Sequence, residues 1–83
     1  MTINVLFFAA FKEQLDCAEL QIEAATVQTV ADLQSMLIAK GDTWNKVLNT
    51  PSLLTAVNHT MVDSEYEIKA GDEVAFFPPV TGG

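Results

Sequence analysis

The chain has 83 residues, 49% of them hydrophobic and 18% charged, with a formal net charge of −7. That length argues for one small domain with one compact core, and so high an apolar content excludes a disordered chain. The acidity excludes nucleic acid and anionic membranes as expected partners, because both carry phosphate charge of the same sign; a basic protein surface would be attracted instead.

Cys17 is the single cysteine, so no internal disulfide can form, and a lone thiol fits a reducing cytosol. The N-terminal residues lack a basic region followed by a long apolar run, and no apolar stretch is long enough to span a bilayer. A cytoplasmic location is expected.

In chain order, Ile3-Asn4-Val5-Leu6-Phe7-Phe8 is apolar and β-rich and predicts a strand. Residues 9–15 predict a short helical turn. Leu20-Gln21-Ile22-Glu23-Ala24 alternates and predicts a half-buried strand, antiparallel to the first. Thr29 is a candidate helix cap, with Asp32 favouring the positive end. Val30, Leu33, Met36 and Leu37 then share one face at helical spacing, and Gly41 is a candidate stop. Thr43 is a candidate cap for a second short helix carrying Trp44, Val47 and Leu48, which Pro51 ends. Leu53-Leu54-Thr55-Ala56-Val57 predicts a strand, Asn58-His59-Thr60 a tight connection and Val62 a short strand. Ala70-Gly71-Asp72 predicts a turn before a last strand over residues 73–77, and Pro78-Pro79 ends sheet pairing for want of N–H donors. The organisation expected is a domain over residues 1–77 and an extended tail over 78–83.

Alternation assigns faces to the two terminal strands. Asn4 and Glu73 belong in water, so Leu6, Phe8, Ala75 and Phe77 face outward with them, while Ile3, Val5, Phe7, Val74 and Phe76 point inward. If those strands are neighbours, Phe8 and Phe77 form an exposed apolar patch at the root of the tail, a feature that often marks a protein interface.

Catalytic sets are missing from the sequence. Ser35, Ser52 and Ser64 have no His and Asp at a recognisable spacing. His59, the only histidine, falls in a turn and is expected to be exposed or to cap. Cys17 stands between Asp16 and Glu19, a poor setting for a thiolate nucleophile. The carboxylates follow neither calcium-loop nor zinc-site spacing, so no metal site is expected, and there is no phosphate-binding glycine motif. What remains is the ending Pro78-Pro79-Val80-Thr81-Gly82-Gly83. Two glycines give the least obstructed backbone available, and at about 3.1 Å per residue the tail reaches roughly 18 Å. That length suffices to thread into another protein and present the Gly83 carboxylate to its chemistry.

The residues from Gly71-Asp72-Glu73-Val74-Ala75-Phe76-Phe77 to the Gly82-Gly83 end resemble the C-terminal signature of the molybdopterin synthase small-subunit family. Leu54-Thr55-Ala56-Val57-Asn58 and the opening from Ile3 to Ala9 match that family as well. The resemblance implies an α+β, ubiquitin-like β-grasp fold: a mixed sheet with one main helix packed on one face and a flexible C-terminal Gly-Gly tail. It also implies a function as sulfur carrier and no catalysis by this chain alone. An adenylyltransferase similar to ubiquitin-activating enzymes, using ATP and magnesium, would adenylate Gly83, and a sulfur donor protein would convert it to a thiocarboxylate. The tail would then enter the synthase large subunit and give its sulfur to cyclic pyranopterin monophosphate, building the molybdopterin dithiolene in a heterotetramer. This chain would bind no cofactor itself. Carried over by position, Gly83 is the reactive site, Gly82 gives a slim approach, and Pro78, Pro79, Val80 and Thr81 form the inserted tail. Phe8, Met61 and Phe77 match positions of an apolar docking surface. Lys12 stands where the family often has Arg, and Lys cannot bind a carboxylate bidentately. Two alternatives remain: a carrier for thiazole or another thio-product, and a ubiquitin-like modifier or binding module.

Overall fold

The computed structural model describes residues 1–8, 10–49 and 53–77. Strand β1 (Thr2–Phe7) leads into helix α1 (Ala10–Leu15), and β2 (Glu19–Glu23) is followed by a 3₁₀ turn (Ala24–Thr26). Helices α2 (Val30–Ile38) and α3 (Asp42–Leu48) come next, then β3 (Leu54–Val57), β4 (Thr60–Val62) and β5 (Glu73–Phe77). The strands form one sheet in the order β2-β1-β5-β3-β4. β1 and β5 are parallel, and every other pairing, including the expected β1–β2, is antiparallel. This is the mixed sheet of the β-grasp that the resemblance implies.

One face of the sheet carries the core. Ile3, Val5 and Phe7 of β1 and Val74 and Phe76 of β5 point inward and are all but fully buried. Phe7 stacks on its register neighbour Phe76 at 6.2 Å and meets the edge of Trp44 at 5.5 Å. The helices complete the cluster with Phe11 and Leu15, with Val30, Leu33 and Leu37, and with Leu48. Met36, expected on the same stripe of α2, is half-buried at its margin.

The start of α2 follows the sequence closely. Asp32 N–H donates to Thr29 Oγ1 at 3.2 Å and Thr29 N–H donates back to Asp32 Oδ2 at 3.2 Å, a reciprocal cap. The next free donors, Val30 N–H and Ala31 N–H, bond to Tyr66 C=O and Ser64 C=O. The irregular segment between β4 and β5 is thereby tied to the helix.

Several boundaries differ from expectation. β1 ends at Phe7, although Phe8 N–H still reaches Phe76 C=O at 3.4 Å. β2 begins at Glu19 and stops at Glu23; Ala24 keeps a bond to Met1 C=O but opens the 3₁₀ turn. Thr43 does not cap α3 but lies inside it. Gly41, expected as a stop for α2, is extended and is itself the cap residue of α3, its carbonyl accepting from Asn45 N–H at 3.0 Å. Asp42 then places a negative charge in the first turn of α3, which no side chain caps.

The β3–β4 connection is a two-residue hairpin turn with both residues left-handed, Asn58 at φ 52° and His59 at φ 71°. Asn58 does more than turn the chain. Its Nδ2 donates to Asp72 Oδ1 at 3.0 Å, and its Oδ1 accepts from Glu73 N–H at 3.1 Å. The start of β5 is fixed by these contacts, beside the expected turn in which Gly71 has φ 90°.

Two stability outcomes follow from this packing. Leu33→Ala removes a fully buried side chain from the centre of the core and is expected to cost about 2–5 kcal/mol. Thr29→Ala removes one half of the helix cap and is expected to cost about 1 kcal/mol. Urea unfolding followed by Trp44 fluorescence measures both.

Candidate functional site

The second face of the sheet carries no helix among the described residues. Register aligns Leu6 of β1, Ala75 of β5, Ala56 of β3 and Met61 of β4 in one line across it. The adjacent line holds Leu54 opposite Phe77, and Phe8 continues it just past the end of β1. The Phe8 and Phe77 rings meet edge to face at 6.1 Å. Phe8 is 47% exposed and Met61 54%. Large apolar side chains held this open on a rigid sheet are unsatisfied hydrophobic surface, and covering them is favourable at about 25 cal/mol per Å².

All of these but Leu54 wall a groove of about 220 Å³. The structure therefore brings Phe8, Met61 and Phe77 onto one surface, as expected. It adds Leu6, Ala56 and Ala75 to the walls and His59 and Glu73 at one end. Ala56 was not assigned a face from sequence. Thr55 is buried opposite Phe76 on the core side, which turns Ala56 outward. His59 was expected to be exposed or to cap. It is exposed, and its Nε2 lies 4.0 Å from Glu73 Oε2.

The tail root is equally well placed. β5 is paired on both sides, to β1 and to β3, and its last residue is Phe77. The strand therefore ends in the middle of the sheet, with Phe77 at the groove. Gly83, Gly82, Thr81, Val80, Pro79 and Pro78 lie outside the described residues. Lys12 is exposed on α1.

Other features carry little chemistry. Cys17 Sγ donates to Glu19 C=O at 3.3 Å. No group of three or more His, Cys, Asp or Glu among the described residues could hold a metal ion. No helix among them is long and apolar enough to cross a membrane. A larger cavity of about 540 Å³ opens between Gln34, Asn49 and Asp63. Gln34 is already engaged there, donating to Leu48 C=O at 2.7 Å. The charges are largely unneutralised. Among the described residues the ion pairs are Met1 amine to Glu23 at 3.4 Å and His59 to Glu73, and no lysine joins a carboxylate.

Comparison with known proteins agrees with this geometry. The model of the ThiS family matches residues 5–83. The chain is 45% identical over 83 residues to a molybdopterin synthase sulfur carrier subunit of Haemophilus influenzae, covering 98% of this chain and 99% of that one. Among solved structures it superimposes on SAMP1 from Haloferax volcanii with a TM-score of 0.83 at 21% identity, each chain fully covered, a likeness of fold. It also superimposes, with a TM-score of 0.71 at 25% identity and full coverage of both chains, on a protein–protein complex of subunits 1 and 2 of the molybdopterin-converting factor from Helicobacter pylori. The match of the family model from β1 to the last residue, together with a near-full-length curated relative, establishes that the chain belongs to the ThiS family, among the molybdopterin synthase sulfur carrier subunits.

Proposed function

We propose that this chain is the sulfur-carrier subunit of a molybdopterin synthase, with the Gly83 carboxylate as the group that is charged and discharged. The observation that carries the reading is the end-to-end likeness to a curated carrier, at 45% identity and covering 99% of that chain. The apolar outer face beside the last strand supports it, because a carrier must be gripped by a partner next to its reactive end. The division into a domain of residues 1–77 and a tail of residues 78–83 belongs to the same proposal.

The chemistry begins with a poor electrophile. A carboxylate resists attack because oxide is a very poor leaving group. An adenylyltransferase partner overcomes this with ATP and magnesium: a Gly83 oxygen attacks the α-phosphorus, pyrophosphate leaves, and an acyl-adenylate forms. A sulfur nucleophile at the hydrosulfide level, supplied by a donor protein, then displaces AMP and leaves a thiocarboxylate. In the large subunit that sulfur attacks a carbon of the pyranopterin precursor as a carbon–oxygen bond there breaks and the oxygen substituent leaves; water then cleaves the acyl–sulfur bond and restores the carboxylate. Each cycle delivers one sulfur, so the two sulfurs of the dithiolene need two charged carriers.

In this scheme the chain contributes presentation, not catalysis. Pro78 and Pro79 limit the backbone freedom of the tail's first residues. Gly82 and Gly83 lack side chains that would obstruct a narrow channel. Phe8, Met61 and Phe77 hold the domain against the large subunit while the tail is engaged. ATP and magnesium belong to the activating enzyme, and the working compartment is the cytoplasm.

Fragment-resolved mass spectrometry tests the reading after incubation with the activating enzyme, ATP and a sulfur source. The expected result is replacement of one oxygen by sulfur on Gly83. Fragmentation separates this from methionine oxidation, which adds nearly the same mass. Retention of the carboxylate with a competent enzyme would overturn the carrier reading. Deleting Gly83 is expected to leave the melting temperature unchanged and to abolish product formation by the reconstituted synthase. Phe77→Asp is expected to weaken large-subunit binding roughly tenfold or more with little change in melting temperature.

A further inference from the structure

The outer groove is apolar along its length and ionic at one end only. Leu6, Phe8, Ala56, Met61, Ala75 and Phe77 supply its walls, whereas Glu73 and His59 stand at the end away from the tail root. We propose that the partner surface seated in this groove is an apolar ridge that ends in a guanidinium or ammonium group, and that Glu73 receives that cation. The inference rests on the sulfur-carrier reading, in which the partner is the large subunit.

Glu73 is positioned as a fixed acceptor. Its backbone is held on one side by Asn58, whose Oδ1 accepts its N–H at 3.1 Å and whose N–H donates to its carbonyl at 2.8 Å. On the other side it pairs with Asn4 of β1. Its side chain is 38% exposed, so it is already partly desolvated before anything docks. Asn4 in turn donates through Nδ2 to Glu19 Oε2 at 3.1 Å, which places a second carboxylate at the same end of the sheet face.

Among the described residues nothing neutralises Glu73 permanently. Its one ion-pair neighbour among the described residues is His59, 87% exposed, 4.0 Å away and charged only when protonated. The four cationic side chains of the sequence are Lys12, Lys40, Lys46 and Lys69, and none pairs with a carboxylate among the described residues.

The energetic consequence selects the partner. Any protein that covers Phe8, Phe77 and Met61 also strips water from the Glu73 carboxylate. Leaving a desolvated carboxylate without a counter-charge opposes the gain from covering the aromatic rings. A cation on the partner removes that penalty, and a guanidinium adds a bidentate bond. Specificity then comes from the combination: an apolar ridge alone, or a basic patch alone, fits half of the site. The spacing is fixed by the strand. Glu73 and Phe77 are four residues apart on β5, which at about 3.3 Å per residue puts the cation roughly 13 Å from the aromatic end of the ridge.

Binding of the full-length chain to its large subunit, measured by surface plasmon resonance at about 50 mM and about 500 mM salt, tests this. Glu73→Lys is expected to weaken binding about tenfold or more at low salt, with the deficit shrinking at high salt. Glu73→Gln, nearly isosteric, is expected to give a smaller loss of about threefold to tenfold with a flatter salt dependence. It provides the readout if the lysine variant folds poorly. Reversing the charge of one large-subunit Arg or Lys is expected to restore binding to Glu73→Lys. Binding by both Glu73 variants within about twofold of the unaltered chain, while Phe77→Asp still disrupts it, would overturn this inference and leave the carrier reading standing. No binding by the unaltered chain would overturn the carrier reading and this inference with it.

Discussion

The parallel pairing of β1 with β5 at the centre of the sheet is the constraint on which everything else depends. It joins the first strand of the chain to the last, so the sheet cannot close until the whole domain is in place. It brings Phe7 against Phe76 on the inner face and Phe8 against Phe77 on the outer face. The same register that builds the core therefore builds the groove. A slip of one residue would exchange the two faces, exposing core side chains and burying Glu73 and Asn4. Fold and docking surface are thus specified together.

The sequence made much of this legible where a side chain had one reason to be where it is. Thr29 and Asp32 announce a helix start because each can satisfy the other's backbone donor. Asn4 and Glu73 orient their strands because a charged or amide group prefers water, and this placed Phe8 and Phe77 outward. Reading failed where a residue had two acceptable roles. Thr43 is a good cap by type, but the chain had already turned into α3 at Gly41. The strand over residues 53–57 has no charged or amide side chain to choose its face, and this left Ala56 unassigned. The pairing of His59 with Glu73 depends on a hairpin turn and on strand order, neither of which local pattern reveals.

The reactive end of the chain is legible in a different sense. The role proposed for Gly83 rests on position, residue type and family resemblance, and not on packing. The docking surface needed both kinds of information: alternation to choose the face, and topology to bring β1, β5, β3 and β4 side by side. In the proposed function the domain is a handle whose shape is set by ordinary burial, and the chemistry falls to a terminus with no side chain.

One mechanical consequence attaches to the strand from which that terminus departs. A terminal strand at the edge of a sheet would peel away one hydrogen bond at a time under a pull. β5 is instead flanked by β1 and β3, so tension on the tail loads two ladders at once and along their strands, in shear. Many bonds must then give way together. If the end is drawn into a partner and withdrawn, as proposed above, this arrangement keeps the domain from being unravelled by that pull.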